Sequence, residues 1–369
     1  MRTKVSIQDC NSYDNVKQVI EKGLKDIGGL NKFIDKNDRV LLKPNLLMSK
    51  KPEDSVTTHP SIIEALILIL KEHNITKIGV GDSPAVESTE KVLKSSGIYD
   101  VCIKHNVKII DFKKEKTILK KSNKILKKVL LSEEALKFDK IINLPKMKTH
   151  SFTTFTGATK NMFGMIPGKS KLVFHMKHKD PLEFCDMLLD LNNIIKPTLN
   201  IMDGIVGMEG NGPSGGEPRN FNKIIVGEDA IAVDAIACDF LGIRKVPIVT
   251  VAKKRKLIGS KLENIDVIGS YQKLTNVKYP EIGFISSVRG LFTLARKYIA
   301  KYPIVIPEVC ISCAKCNEIC PADAIQMKKV SDKTIPVFDY KKCIRCYCCH
   351  EICPVKAIDL KKPILGIAK

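Results

Sequence analysis

The sequence predicts an α/β domain, with a largely parallel sheet and flanking helices, followed by a small cysteine-rich domain. Strand-like and helix-like segments alternate through most of the chain, which is typical of α/β folds. Nine of the 13 cysteines then lie between residues 310 and 353. A chain of 369 residues is long enough for two or three domains, each with its own core.

The elements of the α/β domain follow from apolar runs and from the residues that begin and end helices. Strands are predicted at 39–47, 77–84 (with a turn at its end), 140–146 and 198–207. Helices are predicted at 59–73, 88–97, 180–195 and 229–242. Pro60 and Asp180 suit helix starts, and Gly97 suits a helix end.

Polar residues follow each predicted strand. Because ligands gather at the carboxyl ends of the strands in such sheets, we expect these residues to line one cleft. The candidate binding residues are Lys43, Asn45, Asp82, Ser83, Lys160, Asp203 and Glu209. The candidate catalytic residues are Lys146, Lys148 and His150, which are expected in the loop after the strand at 140–146. The alternative is that each group is only a turn.

The lysines and hydroxyls of this predicted cleft suit a small anionic ligand, with a phosphate or carboxylate group. His150 is the best acid–base candidate, because neighbouring lysines would lower the pKa of its imidazole. His175 and His178 could share a helix face. Asp234 lies in an apolar helix, where a buried charge needs a partner.

The cysteines of the C-terminal region form two copies of one pattern, C-x2-C-x2-C-x3-C-P. The copies contain Cys310, Cys313, Cys316 and Cys320, and then Cys343, Cys346, Cys349 and Cys353. The segments repeat at a period of 33, which also aligns Glu318 with Glu351. About residues 302 to 362 resemble a bacterial two-cluster [4Fe-4S] ferredoxin. A pair of zinc sites is the alternative.

This resemblance implies two [4Fe-4S] clusters and a crossed pattern of ligands. Cluster one would take Cys310, Cys313, Cys316 and Cys353, and cluster two Cys343, Cys346, Cys349 and Cys320. Cys348 is interpreted as a small buried residue, although a ligand slipped by one position is the alternative. The four cysteines outside this region are expected in the core.

A second resemblance covers about residues 35 to 245. The segments that carry it are "LLKPNLL", "TTHPSIIEALI", "GDSPA", "INLPKMKTHSFTTFTGATKNMFGMIPG", "IMDGIVGMEGNGP" and "AVDAIACDFLG". Together they are similar to domain-of-unknown-function family 362, whose members often carry a two-cluster ferredoxin segment at one end. The resemblance supports one functional unit and implies no reaction.

The net charge of +21 is concentrated partly in residues 113–128, which hold eight lysines. Apolar and basic residues alternate there, as in a hairpin with one face in water. This face could also dock a redox partner such as an acidic ferredoxin or flavodoxin. Nucleic-acid binding is not favoured, because basic and aromatic residues are not interleaved.

We expect residues 1–285 to form the α/β domain, 286–303 a linker helix and 304–369 the ferredoxin-like domain. The linker is interpreted as a helix packed on one domain, with a membrane-surface helix as the alternative. The sequence has no transmembrane run and no signal peptide, so a cytoplasmic protein is expected. An anaerobic setting is a separate expectation.

The favoured function is an iron–sulfur oxidoreductase that passes single electrons from the clusters to a small anionic substrate in the α/β cleft. A flavin as hidden cofactor is compatible with this function, although no motif indicates one. The first alternative is an electron carrier whose α/β domain only docks redox partners. The second is a protein that delivers clusters to an acceptor.

Overall fold

The computed structural model describes residues 2–280 and 300–363. The strands are β1 (Thr3–Asp9), β2 (Val40–Pro44), β3 (Ile78–Val80), β4 (Lys108–Ile109), β5 (Glu115–Leu119), β6 (Lys128–Ser132), β7 (Lys140–Leu144), β8 (Lys146–His150), β9 (Thr154–Thr156), β10 (Leu199–Glu209), β11 (Glu217–Gly227), β12 (Ile265–Ile268), β13 (Tyr302–Val305), β14 (Ile325–Val330), β15 (Lys333–Phe338) and β16 (Ile358–Lys361). The helices are α1 (Val16–Asp26), α2 (Pro60–Glu72), α3 (Thr89–Ser95), α4 (Ile98–Lys104), α5 (Ala158–Asn161), α6 (Leu172–Lys177), α7 (Pro181–Ile195), α8 (Ala230–Phe240), α9 (Pro247–Lys254), α10 (Lys315–Glu318) and α11 (Cys348–Ile352).

The central sheet runs in the order β12-β1-β11-β10-β7-β2-β3-β4. Its neighbours pair in parallel except at β11, which is antiparallel to both β1 and β10. Strand β8 branches from β10, in parallel with it, and β9 pairs with β8 in antiparallel fashion. The prediction of a largely parallel sheet with flanking helices is therefore confirmed.

Helix starts depend on the caps that the sequence indicates. His59 is the N-cap of α2 and accepts a hydrogen bond from the Ser61 N–H, while Pro60 occupies the first turn. Asp180 accepts from the N–H groups of Leu182 and Glu183, at the start of α7. Helix α8 is buried over almost its whole length, which explains its apolar sequence on every face.

One predicted loop is a strand. Lys146 to His150 were expected after the strand at 140–146, but they form β8, and all five are buried. Polar residues normally indicate a loop, yet here β10 and β9 supply the backbone partners of β8. The strand therefore carries its polar side chains into the protein.

The basic segment forms the expected hairpin, in which β5 and β6 pair in antiparallel fashion. The predicted linker helix at 286–303 falls mostly on residues 281–299, outside the described residues. Its last two residues belong to β13 instead. Within the described part of the chain, no helix is both long and apolar enough to cross a bilayer.

The cysteine-rich domain consists of two similar halves. β13 pairs with β16, and β14 with β15, both in antiparallel fashion. Ala314 and Tyr347, 33 residues apart, both have positive φ angles, 59° and 64°, directly before the short helices α10 and α11. The sequence repeat is therefore also a repeat of backbone conformation.

This domain packs on the α/β domain. Lys50 Nζ donates to the Pro354 carbonyl at 3.0 Å, and Lys315 forms an ion pair with Glu87 at 2.9 Å. An apolar cluster bridges the two domains and contains Met48, Val56, Met208, Ile319, Cys348 and Ile352. Burial of such side chains contributes about 1.5–3 kcal/mol each to the free energy of folding.

Candidate functional site

Strand β8 presents three ionisable side chains in a row. Successive residues of a strand point to opposite faces, so Lys146, Lys148 and His150 share one face. Their exposures are 1%, 1% and 0%. Each meets a different partner, and these partners distinguish their roles.

Lys146 is part of a closed polar network. Its Nζ lies 2.7 Å from Asp203 Oδ2 and 3.0 Å from the Tyr13 hydroxyl, which itself donates to Asp203 Oδ1 at 3.0 Å. His59 stacks on the Tyr13 ring, and its backbone N–H donates to Asp203. Burial lowers the pKa of Lys146, and the Asp203 carboxylate opposes this shift. Both predicted site residues, Lys146 and Asp203, thus bind one another.

Lys43 and Asp82 form a second buried ion pair, at 2.7 Å. Asp82 also accepts from the Leu46 N–H at 2.8 Å. A Cβ at Gly164 would lie 2.0 Å from Asp82 Oδ1, so only glycine fits beside this pair. Ser83 Oγ accepts from a backbone N–H in the same glycine-containing segment. These three predicted binding residues therefore hold that segment against the sheet.

Glu209 has protein partners of its own. Its Oε2 lies 2.6 Å from Arg219 and accepts from the Lys278 N–H at 3.1 Å. The structure therefore does not bring Glu209 together with the lysines of β8 through any of these contacts.

Lys148 is fixed by the loop between β2 and α2. Its Nζ donates to Asn45 Oδ1 and to the Val56 carbonyl, both at 2.7 Å. An ammonium group has three donors, so one remains for a ligand. Burial, together with the positive charges of Lys160 and Lys146, lowers the pKa of Lys148 well below its ordinary value.

Lys160 lies on α5, which is held by a buried carboxylate. Asp234 accepts from the N–H groups of Ala158 and Thr159, at 2.6 and 2.9 Å. A Cβ at Gly157 would lie 2.2 Å from Asp234 Oδ1, which explains the glycine before the helix. The expected partner of Asp234 is thus the backbone of α5.

Lys160 is half-buried, and its ammonium group has no hydrogen bond or ion pair with residues 2–280 or 300–363. Burial lowers the pKa of Lys160, and the charge of Glu351 opposes this shift. A half-buried lysine that has no salt-bridge partner within 4 Å among the described residues attracts an anion.

The imidazole of His150 is oriented by its own loop. Nδ1 accepts from the N–H groups of Phe152 and Thr153, at 3.0 and 3.3 Å. The proton of the neutral ring therefore resides on Nε2. Burial, and secondly the charge of Lys160, lower the pKa of His150 well below its ordinary value. Neutral His150 thus offers one N–H donor.

That donor faces a carboxylate from the other domain. His150 Nε2 lies 3.4 Å from Glu351 Oε1, and neither atom has a hydrogen bond among the described residues. Burial raises the pKa of Glu351 to about 7, opposed by the charges of Lys160 and Lys148. We call Lys148, His150, Lys160 and Glu351 the Lys–His–Glu cluster. Glu351 was not among the predicted site residues, although the repeat had marked its position.

The cysteines of the C-terminal region surround two small cavities. The first is lined by Cys310, Cys313, Cys316 and Cys353. The second is lined by Cys320, Cys343, Cys346 and Cys349, with Cys348 beside them. These sets are the crossed ligand sets that the ferredoxin resemblance implies. Four thiolates around one cavity are the ligands that a [4Fe-4S] cluster requires.

Backbone amides support the same interpretation. Ala324 N–H donates to Cys320 Sγ at 3.3 Å, and Ala357 N–H to Cys353 Sγ at 3.1 Å. Such bonds stabilise a thiolate and tune the potential of a cluster. The donor set and its surroundings therefore fit two iron–sulfur clusters.

Two other predicted features have local roles. His175 stacks on Phe184, with ring centroids 4.7 Å apart, inside an aromatic core. His178 Nδ1 lies 3.3 Å from Glu183 Oε1. The cysteines outside the C-terminal region are buried, as expected.

Comparison with known proteins gives the family. A family model described as domain of unknown function DUF362 matches residues 40–239, more than half of the chain. The chain belongs to the DUF362 family. A model for a 4Fe-4S dicluster domain matches residues 309–357. The DUF362 match contains Lys148, His150 and Lys160, and the dicluster match supplies Glu351.

A relative and a solved structure are also similar to this DUF362 protein. The "Thylakoid-associated protein sll1697" of Synechocystis sp. is 35% identical over 260 residues, which are 70% of this chain and 80% of that protein. The lactate racemase apoprotein of Thermoanaerobacterium thermosaccharolyticum aligns at 12% identity with a TM-score of 0.44. That alignment spans 66% of this chain and 58% of the racemase chain.

Proposed function

We propose that this protein is an iron–sulfur oxidoreductase, in which single electrons pass from cluster two to a small anionic molecule bound at the Lys–His–Glu cluster. One observation carries the proposal. Glu351 lies between Cys349 and Cys353 in the sequence, and its carboxylate approaches His150 to 3.4 Å. The ligand segment of cluster two and the polar face of β8 are therefore in contact.

The chain's own residues supply binding and a hydrogen bond. Lys148 and Lys160 attract the anionic group, since Lys148 is buried, Lys160 is half-buried, and their charges are only partly compensated. The Nε2–H of His150 lies at the same cluster. There it can donate a hydrogen bond to an oxygen of the bound molecule, at or next to the atom that is reduced. The clusters, when bound, supply electrons one at a time.

The two clusters differ in access to solvent. Cluster one has an exposed ligand, Cys313, with Ile311 beside it 57% exposed, whereas the four ligands of cluster two are buried or half-buried. We infer that cluster one accepts electrons from a cytoplasmic redox partner, such as an acidic ferredoxin or flavodoxin. Because attraction between exposed charges is screened by salt, the rate of this step should fall as ionic strength rises.

The proposal is tested with protein that is purified without oxygen and then reduced. Small-molecule fractions of a cell extract are mixed with it, and reoxidation of the clusters is followed by absorbance. We expect an anionic fraction to reoxidise the wild type. Lys160→Ala should lower the rate of cluster reoxidation at least about tenfold while both clusters stay intact. The reason is that a charge-assisted contact contributes about 1.5–3 kcal/mol.

The alternative, a carrier whose α/β domain only docks partners, predicts another result. In that case Lys160→Ala would transfer electrons to small molecules and to acceptor proteins as fast as the wild type. Equal rates would therefore refute the oxidoreductase proposal. A flavin in the purified protein would show in the same absorbance spectrum.

A further inference from the structure

Glu318 and Glu351 occupy equivalent positions in the two halves of the cysteine-rich domain, 33 residues apart. Their surroundings differ completely. The Glu318 side chain is 50% exposed and pairs with Lys169 at 3.0 Å, a contact at the surface. The Glu351 side chain is 12% exposed and enters the α/β domain beside His150. Packing of the two domains therefore buries the Glu351 carboxylate beside His150 and leaves the equivalent Glu318 carboxylate at the surface.

The surroundings of the Glu351 side chain suit a carboxylate, yet its own carboxylate makes no close hydrogen bond there. The buried Lys148 and the half-buried Lys160 act on its charge, and His150 offers an N–H. The approach of 3.4 Å is longer than the 2.7–2.9 Å of a good charge-assisted hydrogen bond. Oε1 has no hydrogen-bond partner among the described residues.

The backbone around Glu351 is anchored independently of its side chain. The hydroxyl of Ser214 donates to the Glu351 carbonyl. Lys356 Nζ donates to the Gly216 carbonyl at 2.9 Å, and Lys50 Nζ to that of Pro354. The side chain can therefore change rotamer while the segment stays docked.

We propose that Glu351 is an internal carboxylate that fills the carboxylate subsite of the Lys–His–Glu cluster, and that a small carboxylate ligand binds there by displacing it. The inference rests on the proposed function for the position of the substrate, but it concerns binding alone. A free carboxylate has two oxygens, which can meet the His150 N–H and a lysine at normal hydrogen-bond distances. The tethered Glu351 side chain does not reach such distances.

Competition by an internal group lowers the apparent affinity for a ligand. If Glu351 occupies the subsite about nine-tenths of the time, the apparent Kd of a carboxylate rises about tenfold. Removing the side chain should therefore create a vacant carboxylate site. Formate and acetate are the probes, because they carry the functional group and little else.

The experiment measures binding to cluster-loaded protein without oxygen, by calorimetry and by thermal unfolding. We expect Glu351→Ala to bind acetate and formate about ten times more tightly than the wild type, and to be stabilised by them. The matched control is Glu318→Ala, which removes the equivalent carboxylate at cluster one and should behave as the wild type does. Adding Lys160→Ala to Glu351→Ala should abolish the gain.

Two results would overturn the inference. One is equal acetate binding by Glu351→Ala and Glu318→Ala, and the other is binding of inorganic phosphate in place of acetate. If Glu351→Ala loses its clusters, Glu351→Ser is used instead, because it also removes the carboxylate but keeps a polar side chain. The same acetate titration of that variant then tests the inference. If Glu351→Ala gains acetate affinity while no anionic fraction reoxidises the reduced wild type, this inference stands and the proposed function is refuted instead.

Discussion

The Nζ of Lys146 lies 2.7 Å from Asp203 Oδ2, with the two side chains 1% and 0% exposed. Burial of each charge is compensated by the opposite charge of the other residue and by a hydrogen bond with the Tyr13 hydroxyl. Among the described residues, the neighbouring Lys148 on the same face of β8 pairs with no carboxylate, and His150 approaches Glu351 only to 3.4 Å, without a hydrogen bond. Lys146 is therefore a positioning residue, which links β8 to β10.

Removal of the Lys146 charge should destabilise the protein strongly. Lys146→Met leaves Asp203 buried without a counter-ion, at an expected cost of about 3–5 kcal/mol in the free energy of unfolding. In Lys146→Met with Asp203→Asn, no charge remains, and we expect a smaller cost. Anaerobic denaturant titration measures both. Equal costs in the single and the double variant would refute this account of the pair.

Cys349 and Cys348 are adjacent and both line the second cavity, but only Cys349 belongs to the repeating ligand pattern. We expect Cys349→Ala to lose cluster two, so that iron falls toward half of the roughly eight atoms that two cubanes hold. Cys348→Ala should keep both clusters, at a modest cost in packing. Iron analysis and electron paramagnetic resonance measure both variants. Loss of the cluster in Cys348→Ala and its retention in Cys349→Ala would show that Cys348 is the ligand instead.

The clusters should differ in their rate of oxidative damage. Cys313 of cluster one is exposed, whereas Cys349 of cluster two is buried inside the cysteine-rich domain, in an apolar cluster with Cys316, Ile325 and Ile358. Because attack on thiolate ligands follows access, we expect ferricyanide or oxygen to destroy cluster one several times faster. Resonance spectra taken during a limited exposure would show which signal disappears first. Simultaneous loss would contradict the difference in access.

His175 should make the protein sensitive to acid. Burial, and secondly the charge of Lys160, lower the pKa of His175 to about 3. Between this value and the ordinary 6.5, the unfolded chain binds a proton that the folded chain does not, so stability falls as the pH drops below 6.5. From pH 7.5 to 5.5 the loss is about 1.4 kcal/mol.

His175→Phe should remove this loss, because the variant has no proton to bind at that position. His178→Gln is the matched control, since His178 lies three residues away, and should keep the full pH dependence. Denaturant titrations at the two pH values measure the slopes. The same slope in His175→Phe as in the wild type would show that other groups cause it.

The elements of the fold could be predicted from apolar runs and capping residues, and β2, α2, α7 and α8 lie where those signals indicate. Strand β8 could not. Its lysines suggested a loop, because nothing local shows that Asp203, Asn45 and Val56 would satisfy them. Asp203 lies 57 residues along the chain from Lys146, and Asn45 lies 103 residues from Lys148.

The candidate site could be predicted in part for the same reason. His150, Lys148 and Lys160 were identifiable from residue type and sequence position. Glu351 was not, since its role arises from contact between segments about two hundred residues apart. The repeat alone marked Glu351 and Glu318 as equal, and only docking of the domains makes them different. Asp234 likewise required the structure to show that its partners are amides of α5.

Placement of Glu351 between two ligating cysteines has a consequence for biogenesis. In the crossed ligand pattern Cys349 would bind cluster two and Cys353 cluster one, so until both clusters are inserted neither end of the segment that carries the Glu351 carboxylate is fixed by a metal–ligand bond. We therefore expect the newly made polypeptide to complete its reaction centre only during metallation. Protease digestion of chains made with and without iron would show this as cleavage confined to the immature form.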